Sequence, residues 1–466
     1  PPRSTLFPYT TLFRSGADAL GLSGDVDGVS LAHLLAGKSP DGKTQLVKIP
    51  LKKKAQSAKN EVKPTTDVKV DNEVLSQGVV SSEKVEQQTG ASPKKSKTRV
   101  DHVPGIDLTF SMPKSLSAVW ALADTNLKQQ IEHICLNGIK DGLSFLEQNS
   151  PLARTGKAGC DLQYANLLAA IFRHSTARNN QDPQLHFHCV IPNMVKHLDC
   201  GTWSKMNTLE VHRWVRTLGP LVRNNIAHEL TKQLGLELHQ PVQENGKQAG
   251  WFEVTRVPES LRKHWSSRSE EIDKLAGLLP GTKTSVKAKE YANLLSRHPK
   301  GEQLSPDELA IKWQKEAKSH RFGQSSIQSL LHRAKVVDDT GTALSNAITD
   351  AISELSKEYA HFEKRKLIQV VSEKLQTGQV NGAQVVAGVT QAINERQHVL
   401  TLTDSKGRQT LTTPQMWKLE EALLQNIGEL SKQKGSVVSQ RIVERAIKKR
   451  TTIKPEQAEA ARHLLQ

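Results

Sequence analysis

The stretch "QLHFHCVI" (184–191) constrains this chain more than any other. On an extended strand, successive side chains point to opposite faces. His186 and His188 therefore share one face, while Leu185, Phe187 and Cys189 share the other. Two imidazoles on rigid backbone make a ready pair of metal donors. Upstream, His174 ends the apolar segment "LQYANLLAAIFRH" and can supply a third across a polar loop that contains the turn-forming pair Asp182-Pro183. Three neutral imidazoles leave coordination positions open, as a catalytic metal requires. The plain alternative is two surface histidines on an edge strand. The third histidine and the alternation on both sides favour the metal.

A second chemical cluster sits in "GIDLTFSMPKSLSAVWALAD". Its first half alternates like a strand, with Asp107, Thr109 and Ser111 on one face. A carboxylate beside a three-histidine centre can orient a ligating imidazole through its second nitrogen, or accept a proton. The equally simple alternative is a polar residue starting a strand. Ser111 or Ser115 is placed to cap the helix that follows, whose apolar face includes Leu116, Val119, Trp120 and Leu122. Lys114 and Arg178 are candidate phosphate contacts.

The chain of 466 residues carries a net charge of +16. An excess of that size attracts polyanions, nucleic acid first among them, and reads equally as a solubilising face plus a basic linker. No apolar run approaches membrane-spanning length, so no membrane insertion is expected. The four cysteines form no C-x-x-C pair, which argues against a disulfide framework or zinc knuckle and fits a reducing cytoplasm.

Strands mixed with helices imply an α+β fold. Helical patterns cover "SLAHLLAG", where Gly37 reads as a C-cap, and residues 126–148 and 209–234. Residues 47–100 are rich in Lys, Ser, Thr and Val without an aromatic, and are expected to be a basic disordered insertion. Past residue 335 the pattern is mostly helical. Leu344, Ile348, Ile352, Leu355, Tyr359 and Phe362 recur on one face. "HVLTLTDSKGRQTLTT" reads as a hairpin turning at Asp404–Gly407.

"GKSPDGKT" (37–44) matches the phosphate-loop pattern G-x-x-x-x-G-K-[ST] letter for letter. Such a loop follows a buried strand and opens a helix. Here a helical segment precedes it, a Pro-Asp-Gly turn interrupts it and the basic stretch follows, so no nucleotide site is expected.

Together these segments resemble the conjugative relaxases of the TrwC/TraI type (MobF), whose nuclease domain belongs to the HUH endonucleases. "GADALGLSGDVDG" with "LLAGKSPDG" is similar to the family's N-terminal region. "GIDLTFSMPKSLSAVWAL" resembles its carboxylate strand and following helix, and "FRHSTARNNQDPQLHFHCVIPN" its three-histidine signature. "WFEVTRVPESLRKHWSSRSEEI" looks like a later helical section. The resemblance covers about 16–46 and 97–335. It implies a central antiparallel sheet flanked by helices. It also implies a divalent metal (Mg or Mn, with Zn an option) held by His174, His186 and His188, with Asp107 as orienter or base. Its substrate would be single-stranded and transfer-origin plasmid DNA, nicked by a tyrosine that forms a 5′-phosphotyrosyl link. Relaxosome and coupling proteins are the implied partners, in a bacterial cytoplasm from which the intact parent is exported during conjugation. "IKPEQAEAARHLLQ" resembles the segment just before a superfamily 1 helicase's phosphate loop, with Gln457 in the adenine-reading place. Residues 336–466 are thus expected to be the helical start of a helicase region, without an ATP site.

Three departures stand out. The loop from His174 to His186 is slightly long, residues 47–100 are inserted, and the family's nucleophilic tyrosines belong ahead of the region that matches Gly16. Tyr9 lies in the opening "PPRSTLFPYTTLFRS", whose reverse translation matches a common short-read sequencing adapter in frame throughout. Residues 1–15 are therefore expected to be an assembly artefact, with 16–46 the start and 101–335 the body of the relaxase domain. Tyr9 is then not the nucleophile. Tyr164, in the apolar approach to His174, reads as core. The expected state of the chain is one that keeps the metal site and binds DNA but nicks poorly. A rolling-circle replication initiator would share the histidines and the tyrosine chemistry. A non-catalytic DNA-binding remnant would bind without cleaving. An unrelated three-histidine enzyme acting on small molecules would leave the charge unexplained.

Overall fold

The computed structural model describes residues 10–47 apart from 23, 25 and 26, then 103–278 apart from 178 and 179. It further describes 286–296, 304–334, and 340–465 apart from 397, 406, 433–437 and 451. The expected insertion therefore lies outside the described residues, Val47 excepted.

A four-stranded sheet carries the chemistry. Its strands are β1 (Thr10–Phe13), β2 (Gly105–Ser111), β3 (Ala169–Thr176) and β4 (Pro183–Pro192), hydrogen-bonded in the order β1-β3-β4-β2. β1 runs antiparallel to β3, with Thr10 opposite Phe172 and Phe13 opposite Ala169. β3 and β4 are joined by residues 177–182, too short a connection for parallel strands. Its ends are tied by the Ala177 amide on the Asp182 carbonyl at 2.8 Å. β2 also runs against β4: the Asn193 amide donates to Pro104 O and the Met112 amide to Leu185 O. The sheet is thus antiparallel throughout, and the α+β reading holds.

Backbone packing separates residues 1–109, 149–173 and 187–210 from residues 110–148, 174–186 and 211–466. The dividing points fall inside β2, β3 and β4, so each of these strands is continuous across the division. In the first unit, helix α1 (Gly28–Leu35) is capped by Asp27, whose carboxylate accepts from the Val29 and Ser30 amides. Gly37 follows it with φ +70°, a left-handed conformation that ends helices and suits glycine. Leu34, Ala17, Leu168, Phe172 and Met194 form a core that also takes in Val47 at 3 % exposure. The residue that sequence placed first in the insertion thus belongs to this core. Residues 38–45 close a turn, with Lys38 bridged to Gln45 and no helix from Gly42 to Val47, the last described residue of that stretch. The phosphate-loop match accordingly lacks a phosphate-loop's geometry.

In the second unit, helix α2 (Lys114–Leu122) leaves the end of β2, followed by α3 (Thr125–Asn149) and α4 (Thr208–Leu234). Neither Ser111 nor Ser115 caps α2. Pro113 occupies the cap position, and the Ser115 amide donates to the Glu253 carboxylate at 3.0 Å. The Ser115 hydroxyl instead accepts from the Val254 amide at 2.7 Å. α3 and α4 meet at glycines, because a Cβ on Gly138 would fall 2.6 Å from Ile226 Cγ1 and one on Gly142 would run into Val222 Cγ2. Helices α5 (Ser267–Gly277) and α6 (Pro306–Ser319) follow, the latter opened by a Ser305–Glu308 capping box.

Farther along, α7 (Thr340–Glu358), α8 (Lys364–Lys374) and α9 (Gly382–Glu395) share one apolar cluster with Leu221 of α4. Ile348, Ile352, Leu355 and Phe362 are buried as expected, whereas Tyr359 is 45 % exposed because α7 ends at Glu358. The hairpin is β5 (Leu400–Thr403) with β6 (Gln409–Thr412), turning through Gly407 at φ +75°. α10 (Pro414–Lys432) then buries none of its residues. No helix among the described residues is long and apolar enough to cross a membrane.

Candidate metal centre

β4 alternates as its sequence requires: Leu185, Phe187 and Cys189 are buried, and Gln184, His186 and His188 are half-buried on the other face. Burial pushes the Cys189 thiol above its ordinary range, and the nearby Asp107 charge adds to that, so it stays protonated and turned away from the histidines. His174 lies near the end of β3, its ring edge-on to that of His186 with centroids 5.2 Å apart. His174, His186 and His188 can each offer a nitrogen such that all three lie within 4.8 Å of one another, the one such group of three among the described residues.

The second ring nitrogen of two of these histidines is fixed. His188 Nδ1 lies 2.7 Å from Asp107 Oδ2 and 3.2 Å from Thr109 Oγ1, both on β2. His186 Nδ1 lies 2.9 Å from the Gln184 carbonyl. A carbonyl only accepts, so the His186 Nδ1 must carry the proton. The Asp107 carboxylate oxygen, an acceptor, asks the same of His188. In each ring Nε2 is then the nitrogen that carries a lone pair and no proton, the arrangement seen when imidazole ligates a metal. A set of three imidazoles suits a divalent transition metal.

The remaining sequence candidates separate. Lys114, read as a phosphate contact, directs its amine to the Pro183 carbonyl at 3.0 Å. Burial lowers its pKa to about 8, against the pull of Asp182 and Glu253. Arg178 and Tyr9 lie outside the described residues. Tyr164, expected in the core, is 50 % exposed, because it stands between two three-residue strands rather than within one. Sequence reasoning missed Gln184, although it stands two residues before His186 on the same strand face.

The sequence pattern of the family described as TrwC relaxase matches residues 8–320 of this chain. Among curated proteins, the "Multifunctional conjugation protein TraI" of Escherichia coli is 26 % identical over 415 residues, covering 84 % of this chain and 20 % of the relative. The protein of the same name from strain K12 is 25 % identical over 414 residues, with the same coverage. This chain thus spans about a fifth of the length of those relatives. Among solved structures, a metal-bound conjugative relaxase TrwC with oriT DNA aligns at 28 % identity and a TM-score of 0.49, covering 68 % of this chain and 91 % of that one. A copper-bound form gives 28 % and 0.48, over 67 % and 88 %. A complex with a 27-mer comprising the recognition hairpin and the cleavage site gives 28 % and 0.47, over 67 % and 91 %. The family's pattern runs from before β1 to the end of α6 and takes in every strand of the central sheet, and on that extent of match the chain belongs to the TrwC relaxase family.

Proposed function

We propose that this chain carries the nuclease centre of a conjugative relaxase, an HUH-type enzyme that nicks one strand of plasmid transfer-origin DNA by tyrosine transesterification. The observation that carries this reading is the triad His174, His186 and His188 with two of its rings held in the metal-ready tautomer. A divalent ion there would draw charge from the scissile phosphate as a Lewis acid. Three nitrogen donors favour Mn or Zn over Mg, which prefers oxygen. Asp107 keeps His188 oriented and its ring proton in place. In the nicking step a tyrosine oxygen bonds to phosphorus, the bond to the 3′ oxygen breaks, and that oxygen leaves as a hydroxyl.

The net charge of +16 supports single-stranded DNA as the partner, within a cytoplasmic relaxosome. On the codon reading of residues 1–15, Tyr9 is not the nucleophile, and nicking by this chain stays near background while DNA binding persists. The test is Mn2+-dependent cleavage of labelled transfer-origin oligonucleotides by the chain, its His186→Ala variant and its Tyr9→Phe variant. Metal-dependent nicking lost in Tyr9→Phe would overturn the assignment of Tyr9. Failure of the unmodified chain to bind both Mn2+ and single-stranded DNA would overturn the relaxase centre itself.

A further inference from the structure

The end of the connection between the two histidine-bearing strands and the start of β4 are gripped residue by residue, from 180 to 185. The Asn180 carbonyl accepts from the Lys312 amine on α6. The Gln181 carbonyl accepts from the Trp313 indole at 3.0 Å, and its side-chain oxygen accepts from the Leu304 amide at 3.1 Å. Asp182, only 5 % exposed, accepts from the Ser267 hydroxyl of α5. The Pro183 carbonyl takes the Lys114 amine. The Gln184 side-chain amide donates to the Met112 carbonyl at 2.9 Å. The Leu185 amide donates to the Ser117 hydroxyl at 3.1 Å. Six consecutive residues, 180 to 185, are each tied to a group at least 68 positions away in sequence. The next residue is His186, whose ring proton rests on the Gln184 carbonyl.

Anchoring of this density exceeds what a surface hairpin needs. Gln181 adopts φ +54°, a left-handed conformation that costs a non-glycine residue of order 1 kcal/mol and persists only where the surroundings impose it. The Trp313 indole, 4 % exposed and 6.2 Å from the Trp120 ring, holds the Gln181 carbonyl through its N–H. Downstream, the Gln184 side chain ties to Met112 the residue whose carbonyl meets the His186 ring, and the amide of that same peptide is held on Ser117. Groups of this kind behind a ligating histidine typically change metal affinity by about 10- to 100-fold.

We propose that Gln184 and Trp313 are positioning residues of the metal centre, Gln184 by holding the carbonyl that orients His186 and Trp313 by holding the turn that places Gln184. The inference rests on the metal reading of the triad. It is tested on the full chain with Mn2+ as probe, by titration calorimetry and by the NMR tautomer signature of the imidazoles. Gln184→Met keeps length and volume without the donor, and Trp313→Phe keeps a buried ring without the N–H. Each is expected to weaken Mn2+ binding about tenfold or more, and Gln184→Met to mix the His186 tautomers in the metal-free protein. The double variant loses less than the product of the two, because both act through one carbonyl. If either variant binds Mn2+ within twofold of the unmodified chain and shows only a lower melting temperature, that residue's role is structural and the proposal fails for it. If the unmodified chain and His186→Ala bind Mn2+ alike, it is the metal reading that fails. Should Gln184→Met not fold, Trp313→Phe decides alone.

Discussion

Asp107 Oδ2 and His188 Nδ1 stand 2.7 Å apart on neighbouring strands, although 81 positions separate them in sequence. The contact fixes which nitrogen of His188 carries the proton, and so which one keeps its lone pair. Asp107→Asn preserves the shape but removes the charge, and its amide can present either donor or acceptor to the ring. Mn2+ affinity is expected to fall about tenfold, with the fold unchanged by circular dichroism. An affinity equal to that of the unmodified chain would show that the carboxylate does nothing for the ring.

Lys114 provides a pH signature. Its folded pKa of about 8 lies below the ordinary 10.5 because burial disfavours the charged form. Between those values the unfolded chain binds more protons than the folded one, so stability rises with pH across that window. The penalty is fully present below pH 8. Urea unfolding at pH 7.5 and 9.5 should show a gain of about 2 kcal/mol at the higher pH. Lys114→Met should lack the part of the rise that this lysine contributes.

Two helical glycines should respond to alanine with opposite signs. At Gly142 a Cβ collides with Val222, which is 1 % exposed in the α3–α4 contact. Gly142→Ala should therefore cost about 1–3 kcal/mol through overpacking. Gly428 of α10 has nothing within 4 Å of the added atom. There the substitution should stabilise by about 0.5–1 kcal/mol through backbone entropy alone. Thermal melts of the two variants check both signs, and a gain at Gly142 would refute the close-packed helix contact.

The Glu253 carboxylate, 6 % exposed, takes the place of a helix cap for α2 and lies 3.7 Å from Arg262. Glu253→Ala leaves both the Ser115 amide and the Arg262 guanidinium without it. We expect a loss of about 2–3 kcal/mol in urea unfolding. A loss below 0.5 kcal/mol would mean that water replaces the carboxylate.

What could be read in advance divides by range. The alternation of Leu185 to Cys189 is a local property of extended backbone, so the shared face of His186 and His188 was open to inspection in the sequence. So was the pairing of strand and carboxylate around Asp107, through its resemblance to a known signature. The cap on α2 was not, since Glu253 lies 138 residues from Ser115 and no local pattern marks it. Lys114 looked like a phosphate contact because the groups that engage it, Pro183, Asp182 and Glu253, come from other elements. Tyr164 looked like core because its apolar neighbours hide that it falls between two short strands. Period reports which face a residue takes; it says nothing of what that face meets.

The nineteen residues of α10 will shape how this protein behaves in a tube. Leu423, Leu424, Ile427 and Leu430 are each more than half exposed along that helix, and Trp417 nearly so. Sulfate and similar salts strengthen the attraction between such surfaces, and salt also strips protein from DNA. Both pressures point the same way, so dilute, low-salt buffers should keep the chain dispersed and favour the DNA binding proposed above. Among the described residues, this helix should contribute more to retention on hydrophobic media than the four-stranded sheet does.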